Sequence, residues 1–404
     1  MQKKRILILS QVYWPDTSSV SQHLSDLADY LVRNDNEIHV ICSRKPYEDL
    51  NIRFSKNEIY RGVKITRLNQ SKFQKKYILG RLCNFLSFQI SVLFYTLLCL
   101  SKKDIDQIIV VSVPPLLPLW AVIFAKMKKI SCLYWVMDIQ PELSAAAGLL
   151  NKQSFLYKAL LFFSAFMLKK ANQLICLDDD MKRHLISRGV SHNKIDVVPV
   201  WPVQNKVFKG DKIKNPFRVK WNLDDAFTIM YSGNLAYCHP LDTLLEAALL
   251  LKEDSRFRFI FVGTGVQKNK VIRYQKRCPF IQIYPFQRRE DIHLSLAAAD
   301  VHCVVMGDNT KGYTHPNKVY GAMLTGRPIL YIGPKNSFIS DHINQIKGNI
   351  SIRHSQTEHL IEKLVNLFDN KILYQEVCEK NFAYAQKYFN KDVLLKKMND
   401  VIRN

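Results

Sequence analysis

The chain has 404 residues, of which 48% are apolar and 23% charged, and it carries a formal net charge of +23. That length suits two or three domains with large cores, and the lack of Gly/Ser-, Gln/Asn- or Pro-rich tracts and of solenoid-length repeats excludes a largely disordered or repeat-built chain. The positive balance attracts anionic surfaces, either nucleic acid or the anionic lipids of the cytoplasmic leaflet, without choosing between them.

The N-terminal stretch MQKKRILILSQVYWP has an apolar part too short for a signal peptide. Its core, 5–10, reads as a strand buried on both faces. The loop QVYWPDTSS follows, then a helix over 20–33 that Ser18 or Ser19 could cap, then a strand over 37–43. Strand, loop, helix and strand in this order predict a parallel sheet with a right-handed crossover. A further strand is expected over 60–68. Between Arg53 and Lys103 stand eleven Lys/Arg and one acid, Glu58.

Residues 71–103 hold a long apolar stretch with no charge between Arg81 and Lys102. Three readings stay open: a transmembrane helix, a helix dipping into one leaflet and anchored by Lys72, Lys75, Lys76 and Arg81, or a plain buried helix of the sheet. Asn84, Ser87, Gln89, Ser91 and Thr96 weigh against a span, as does the strand that follows over 107–113. A loop and apolar helix come next, then a strand over 131–138 that ends in MDIQPE. Asp138 sits at the lip of that strand, where capping the next turn is its plain role. Residues 152–170 read as an amphipathic helix, a core helix in preference to a second surface-seeking one. Strands over 173–177 and 195–198 flank an acidic helix start at Asp178–Asp180.

Periodicity fails from Trp201 to Asn222, and 205–220 is expected to be the interdomain linker. Strand–loop–helix alternation then restarts with strands over 227–232, 258–262, 280–284 and 300–306. The two strand-ending turns GNL and GTG are not Gly-x-Gly-x-x-Gly fingerprints, so no nicotinamide cofactor is supported, and no Walker loop is present. Nine cysteines lie scattered without a Cys-x-x-Cys pair, a pattern that fits reduced thiols of a cytosolic protein and argues against a disulfide framework or zinc site. The run DNTKGYTHPNKVYGAMLTGRPILYIG, 308–333, organises this half. Pro316 suits a first helical turn, which would set Asn317, Lys318 and free N–H groups where an anion is favoured. An ordinary loop with a solvated lysine is the alternative.

YSGNL, FVGTG, PFQRREDI, ADV and PNKVYGAMLTGRPIL in this order, with DIQPE in the first half, resemble the GT-B glycosyltransferases. More narrowly they resemble family 4 sugar transferases of bacterial surface-polysaccharide assembly, the group that includes colanic-acid and O-antigen fucosyl- or N-acetylfucosaminyl-transferases. The resemblance implies an α/β fold of two doubly wound Rossmann-like domains facing a cleft. Residues 1–205 would be the acceptor-side domain, with its membrane-associating region at 72–103. Residues 206–378 would bind the nucleotide-sugar, and a C-terminal helix over 379–404 would pack back on the first domain.

Carried over residue by residue, Gly233 and Asn234 would face the donor phosphates, with Gly263 beside them. Phe286, Gln287 and Arg288 would line the base, and Asn317 and Tyr320 would flank Lys318. Lys318 would neutralise the leaving diphosphate, and Asp138 would contact the sugar or acceptor across the cleft. No metal or other cofactor is implied. The implied activity is retaining transfer from a nucleotide-sugar to a lipid-linked saccharide, in O-antigen, capsule or exopolysaccharide synthesis, by a protein peripheral on the inner face of the cytoplasmic membrane. The implied partners are the nucleotide-sugar donor, the lipid-linked saccharide acceptor and an anionic membrane surface, with no nucleic acid. Here the family's paired glutamates are Tyr313 and Gly321, its Arg and Lys after the first C-terminal strand are missing from GNLAYCHPLD, and its N-terminal glycine pair is Ser18–Ser19. A nucleotide-sugar epimerase of the same fold is the alternative enzyme. A nucleic-acid-binding protein would interleave aromatics with Lys/Arg on one face, whereas the aromatics here lie in apolar runs.

Overall fold

A computed structural model describes residues 3–46, 52–71, 78–99, 104–204, 206–208, 210 and 212–403. The chain forms two compact units, the first of residues 1–199, 312–314 and 395–404, the second of residues 200–311 and 315–394.

The first unit runs β1 (Arg5–Leu9), α1 (Ser19–Arg33), β2 (Glu37–Ser43), β3 (Asn57–Tyr60), β4 (Val63–Leu68), α2 (Ile78–Cys99) and β5 (Gln107–Val111). It continues with α3 (Leu117–Lys128), β6 (Ser131–Trp135), α4 (Glu142–Ala146), α5 (Phe155–Lys170), β7 (Gln173–Cys176), α6 (Asp179–Ser187) and β8 (Ile195–Val197). Its sheet has the order β3-β4-β2-β1-β5-β6-β7-β8. All neighbours are parallel except β3, which pairs antiparallel with β4. The single strand expected over 60–68 is thus a hairpin, because Arg61 and Gly62 both take positive φ and turn the chain between β3 and β4. Continuous apolar runs such as Ile6–Leu9 and Ile108–Val111 are buried on both faces, as a parallel sheet with helices above and below requires.

The second unit runs α7 (Pro216–Lys220), β9 (Phe227–Ser232), α8 (Asp242–Leu250), β10 (Phe257–Val262), α9 (Lys268–Gln275), β11 (Ile281–Tyr284), α10 (Ile292–Ala297) and β12 (Val301–Val305). Then come α11 (Lys318–Leu324), β13 (Ile329–Ile332), α12 (Phe338–Ile343), β14 (Ile350–Ile352), α13 (Thr357–Asp369) and α14 (Lys371–Tyr388). Its sheet is parallel throughout, in the order β11-β10-β9-β12-β13-β14. One core cluster gathers Tyr231, Phe257, Phe261 and Leu364 on one side of this sheet, and another gathers Phe217, Trp221, Met230 and Ile260 on the other.

The stretch 205–220, expected as linker, includes α7. Asn215 caps it by accepting from the N–H groups of Phe217 and Arg218. Phe217 and Arg218 are buried. Arg218 donates to the carbonyls of Asp224, Ala226 and Ala298 and pairs with Asp300 at 3.3 Å. A helix of 5 residues is too short to show a period in sequence. The region expected as one helix over 379–404 is two helices, α14 and α15 (Lys391–Arg403). The last of these ends in the first unit, where Lys4 Nζ donates to the carbonyls of Ile402 and Arg403 and Arg403 donates to that of Asn34.

No helix among the described residues, α2 included, is long and apolar enough to cross a membrane. Lys72, Lys75 and Lys76 lie outside the described residues. The helix over 152–170, expected in the core, exposes Phe155, Leu156, Phe162 and Phe163. Its sequence is apolar on nearly every side, so periodicity could not tell which face turns inward.

Candidate functional site

In the second unit the chain leaves β9 toward β10 and β11 on one side, and β12 leads to β13 and β14 on the other. The gap beyond the C-terminal ends of β9 and β12 is the switch point where open α/β sheets bind ligands. Gly233 and Asn234 follow β9 directly, and Gly307 N–H donates to Cys238 O at 2.9 Å, tying the loop after β12 to the loop after β9.

Lys318 reaches into this gap. Its ammonium donates to Tyr231 Oη at 2.5 Å and lies 3.9 Å from the centre of the Tyr231 ring. Tyr231, the fifth residue of β9, in turn donates its hydroxyl hydrogen to Asn234 O at 2.7 Å. Among the described residues Lys318 makes no ion pair, and Tyr231 is its one hydrogen-bond partner. An ammonium has three donors, so two point to no protein acceptor. The side chain keeps part of its surface accessible, yet protein atoms surround it closely enough that desolvation pulls its pKa from 10.5 down to about 7, opposed weakly by the thiols of Cys238 and Cys303. Burial and the nearby lysine also hold His239 neutral, well below the usual range.

Two glycines let the loops approach. A Cβ at Gly233 would meet Lys318 Cε at 3.1 Å, and one at Gly263 would stand 2.1 Å from the Gly233 carbonyl oxygen. Both take φ near +145°, a region open to glycine. Position 263 therefore answers first to backbone packing: Gly233 N–H donates to Val262 O and Gly263 N–H to Tyr284 O, each continuing the sheet ladder past its strands. Phe286 borders this cluster, its ring 3.2 Å from where a Gly263 Cβ would lie.

Of the residues expected at the donor site, Gly233, Asn234, Gly263, Phe286 and Lys318 come together. The others do not join them. Tyr320 is fully buried, bonded to His315 Nε2 at 2.7 Å and packed edge-on against Phe389. Gln287 bonds Pro285 O at 2.6 Å. Arg288 is three-quarters exposed and paired with Glu290 and Asp291. Asn317 stands before Lys318 with its Oδ1 buried and without a hydrogen-bond partner.

The expectation of free helix N–H groups needs correction. The helix starts at Lys318, and the amides of Asn317, Val319 and Tyr320 are already bonded to the carbonyls of His315, Pro316 and Asn317. A tightened turn before the helix consumes these three amides. Sequence reading missed Tyr231, because a tyrosine late in a buried strand reads as core. Its hydroxyl, which burial obliges to find a partner, was the available signal.

Asp138 belongs to the first unit. Its Oδ1 accepts from Thr314 Oγ1 at 2.6 Å, and Asp138 and Thr314 form an isolated antiparallel bridge. Tyr313 lies edge-on to His184, and its carbonyl accepts from Ile139 N–H at 2.7 Å. At the second position of the family's glutamate pair, Gly321 has Gln204 against it, whose Nε2 donates to the Gly321 carbonyl at 3.2 Å. Among the described residues no group of three or more His, Cys, Asp or Glu side chains converges as a metal site would.

The profile of glycosyltransferase family 4 matches residues 20–200, and that of glycosyl transferases group 1 matches residues 226–370. Between them they span most of the chain. The chain belongs to the family 4 glycosyltransferases. Its fold class is GT-B. The Pseudomonas aeruginosa glycosyltransferase WbjE is 25% identical over 218 residues, a match that spans 52% of this chain and 54% of WbjE, about half the length of each. WcaI of Escherichia coli K12, named as a colanic acid biosynthesis glycosyl transferase, is 22% identical over 80% of this chain and 81% of its own. Among solved structures, Anabaena HepE in complex with UDP and glucose superposes with a TM-score of 0.73 at 14% identity, covering 99% of each chain.

Proposed function

We propose that this family 4 glycosyltransferase moves a sugar, with retention, from a nucleotide-sugar to a lipid-linked saccharide during assembly of a bacterial surface polysaccharide. The observation that carries the reading is Lys318: a desolvated ammonium with two donors unused, held by Tyr231 at the switch point of the second unit. Breaking the bond between the anomeric carbon and the donor phosphate oxygen leaves a second negative charge on the terminal phosphate. A preorganised cation in a dry site stabilises that charge strongly. The exposed Asn234 and the backbone of Gly233 are assigned to the phosphates, and Phe286 to the base.

In the retaining course the acceptor hydroxyl attacks from the face the nucleotide leaves, and its proton passes to the departing phosphate oxygen, so no protein base is required. Asp138 of the first unit is assigned the contact to the sugar or acceptor. We assign the charge role to Lys318 without a metal, so EDTA should leave the rate unchanged. The reading is supported by the name of WcaI, by the UDP and glucose held by HepE, and by the basic, apolar composition of 71–103, which suits a protein working peripherally at the inner face of the cytoplasmic membrane.

The test is an assay of purified protein with UDP- and GDP-sugars and a lipid-linked acceptor, following nucleotide release. Transfer that Lys318→Ala abolishes supports the reading. Equal rates for wild type and Lys318→Ala would overturn it.

A further inference from the structure

Beside Lys318 stands a second basic side chain, His239, in the loop from β9 to α8. Its imidazole rests against Val305, the last residue of β12. The backbone that carries it is pinned. The His239 N–H donates to Ala236 O at 3.1 Å, its carbonyl accepts from Gln267 Nε2 at 2.8 Å, and Pro240 follows. The carbonyl before it, that of Cys238, takes the Gly307 N–H. The ring is therefore held at the switch point, where β9 and β12 end, close enough to Lys318 to feel its charge.

The hydrogen bonding of this ring is incomplete. Nδ1 is sealed from water and makes no hydrogen bond of normal geometry, and the acceptors beside the ring are the carbonyls of Val305 and Cys238. The residue as a whole is half-buried. A neutral imidazole has one N–H and one bare nitrogen, whereas the protonated ring has two donors. Protonated, the ring gives one hydrogen to these carbonyls and keeps the other for a ligand.

No carboxylate acts on the pair. His239 feels Lys318 of α11, and Lys318 feels the thiols of Cys238 in the β9 loop and Cys303 on β12 and donates to the Tyr231 hydroxyl of β9. The next acid along the chain, Asp242, is committed to Lys270. Two bases side by side with no anion between them keep the more weakly basic one neutral. A ligand with two negative charges reverses that balance, because opposite charge at close range favours the protonated ring.

We propose that His239 is a second anion-binding residue of this site, neutral while the site is open and protonated, with an N–H donated to a phosphate oxygen, once a nucleotide diphosphate lies against Lys318. The proton comes from solvent and no covalent bond changes. The Arg and Lys that the family places after this strand are missing from GNLAYCHPLD, so a histidine that charges only with the ligand is a property of this chain and not of the family. The proposal rests on the nucleotide-sugar reading above and adds to it a residue and a charge.

Titration calorimetry of the purified full chain with UDP-glucose and with GDP-mannose, at pH 6 and pH 8 in buffers of different ionisation heat, counts the protons taken up on binding. These ligands carry a diphosphate esterified at both ends, so they neither release nor accept a proton in this range. Lys318, which titrates near 7, is largely charged at pH 6, so uptake there belongs to the imidazole. Wild type is expected to take up about half a proton or more at pH 6, and His239→Gln close to none. The variant should bind about tenfold more weakly at pH 6, the worth of one hydrogen bond to a charged group, with the gap narrowing at pH 8. Its uptake at pH 8, which comes from Lys318, should persist. Thermal unfolding checks that the variant is folded; should it not be, the wild-type count at pH 6 decides alone. Binding by wild type without uptake at pH 6 would overturn the proposal and leave the nucleotide-sugar reading standing, and so would equal uptake by wild type and variant. Binding of neither ligand at either pH would overturn both.

Discussion

Two cations of the second unit, Arg218 fully buried and Lys318 half-buried, are held in opposite ways. Arg218 is fully answered: three backbone carbonyls, the Thr228 hydroxyl and the Asp300 carboxylate take its guanidinium hydrogens, and Asp300 is itself held by Lys212 at 2.9 Å and by Thr228 N–H at 2.8 Å. Lys318 has one hydroxyl and no carboxylate. A buried charge with every hydrogen placed is a structural part. A half-buried charge with donors left over, at the switch point of a parallel sheet, is the one we propose to meet an anion. The difference separates architecture from chemistry within one sheet, and it can be tested residue by residue.

The largest effects come from removing either charge, and they should fall on different measurements. Arg218→Met leaves Asp300 buried with Lys212 as its remaining cation; loss of one partner from such a pair destabilises by about 3 kcal/mol at the lower end of what is seen for buried pairs. Urea unfolding should show this, and a change too small to resolve would mean the network does not hold α7 to the sheet. Lys318→Met should do the reverse. Its kcat/KM should fall by about 10²–10³, as loss of one preorganised charge-stabilising group does. Its melting temperature at pH 6 should equal or exceed that of wild type, since a poorly partnered buried ammonium is gone. A Lys318→Met protein that unfolds easily and keeps its rate would reverse the comparison.

Gly263→Ala comes next. Its Cβ would collide with the Gly233 carbonyl at 2.1 Å in a backbone conformation alanine rarely adopts, so about 2 kcal/mol should be lost. The two loops that carry Asn234 and Phe286 should separate, and UDP or GDP should no longer raise the melting temperature.

The same pair shows what a sequence can reveal. Lys318 was legible because its surroundings are regular: a buried strand, a Gly/Thr/Asn/Pro loop, a short apolar helix and another strand leave the lysine in a place where open sheets bind ligands. Arg218 was not. Its helix is too short for a period, two prolines and several lysines around it read as linker, and two of its partners, Ala298 and Asp300, lie 80 and 82 residues away. Tyr320 misled for the converse reason. It is two residues from Lys318, but on a helix that step turns it about 200° away, into the core beside His315 and Phe389. The sheets of both units were readable from apolar runs. The outward face of α5 was not, since a helix apolar nearly all round gives no phase.

The smallest effect concerns the hydroxyl that joins Lys318 to the β9 loop. In the folded chain the lysine titrates near 7, against 10.5 in the unfolded one. Between these values the unfolded state holds a proton the folded state lacks, so this group's penalty on stability is complete below about pH 7 and fades as pH rises toward 10.5. Lys318→Met should therefore gain most over wild type on the acid side. Nucleotide binding runs the other way, because a diphosphate prefers the protonated amine: affinity for UDP or GDP should fall as pH climbs through 7, with proton uptake on binding. Tyr231→Phe removes the acceptor that favours the charged lysine, worth about 1 kcal/mol, so the midpoint of that profile should move toward acid by about half a unit to one unit. Titration calorimetry at several pH values measures it. If affinity instead drops equally at every pH, the hydroxyl acts through its bond to the Asn234 carbonyl and holds the phosphate loop, not the charge.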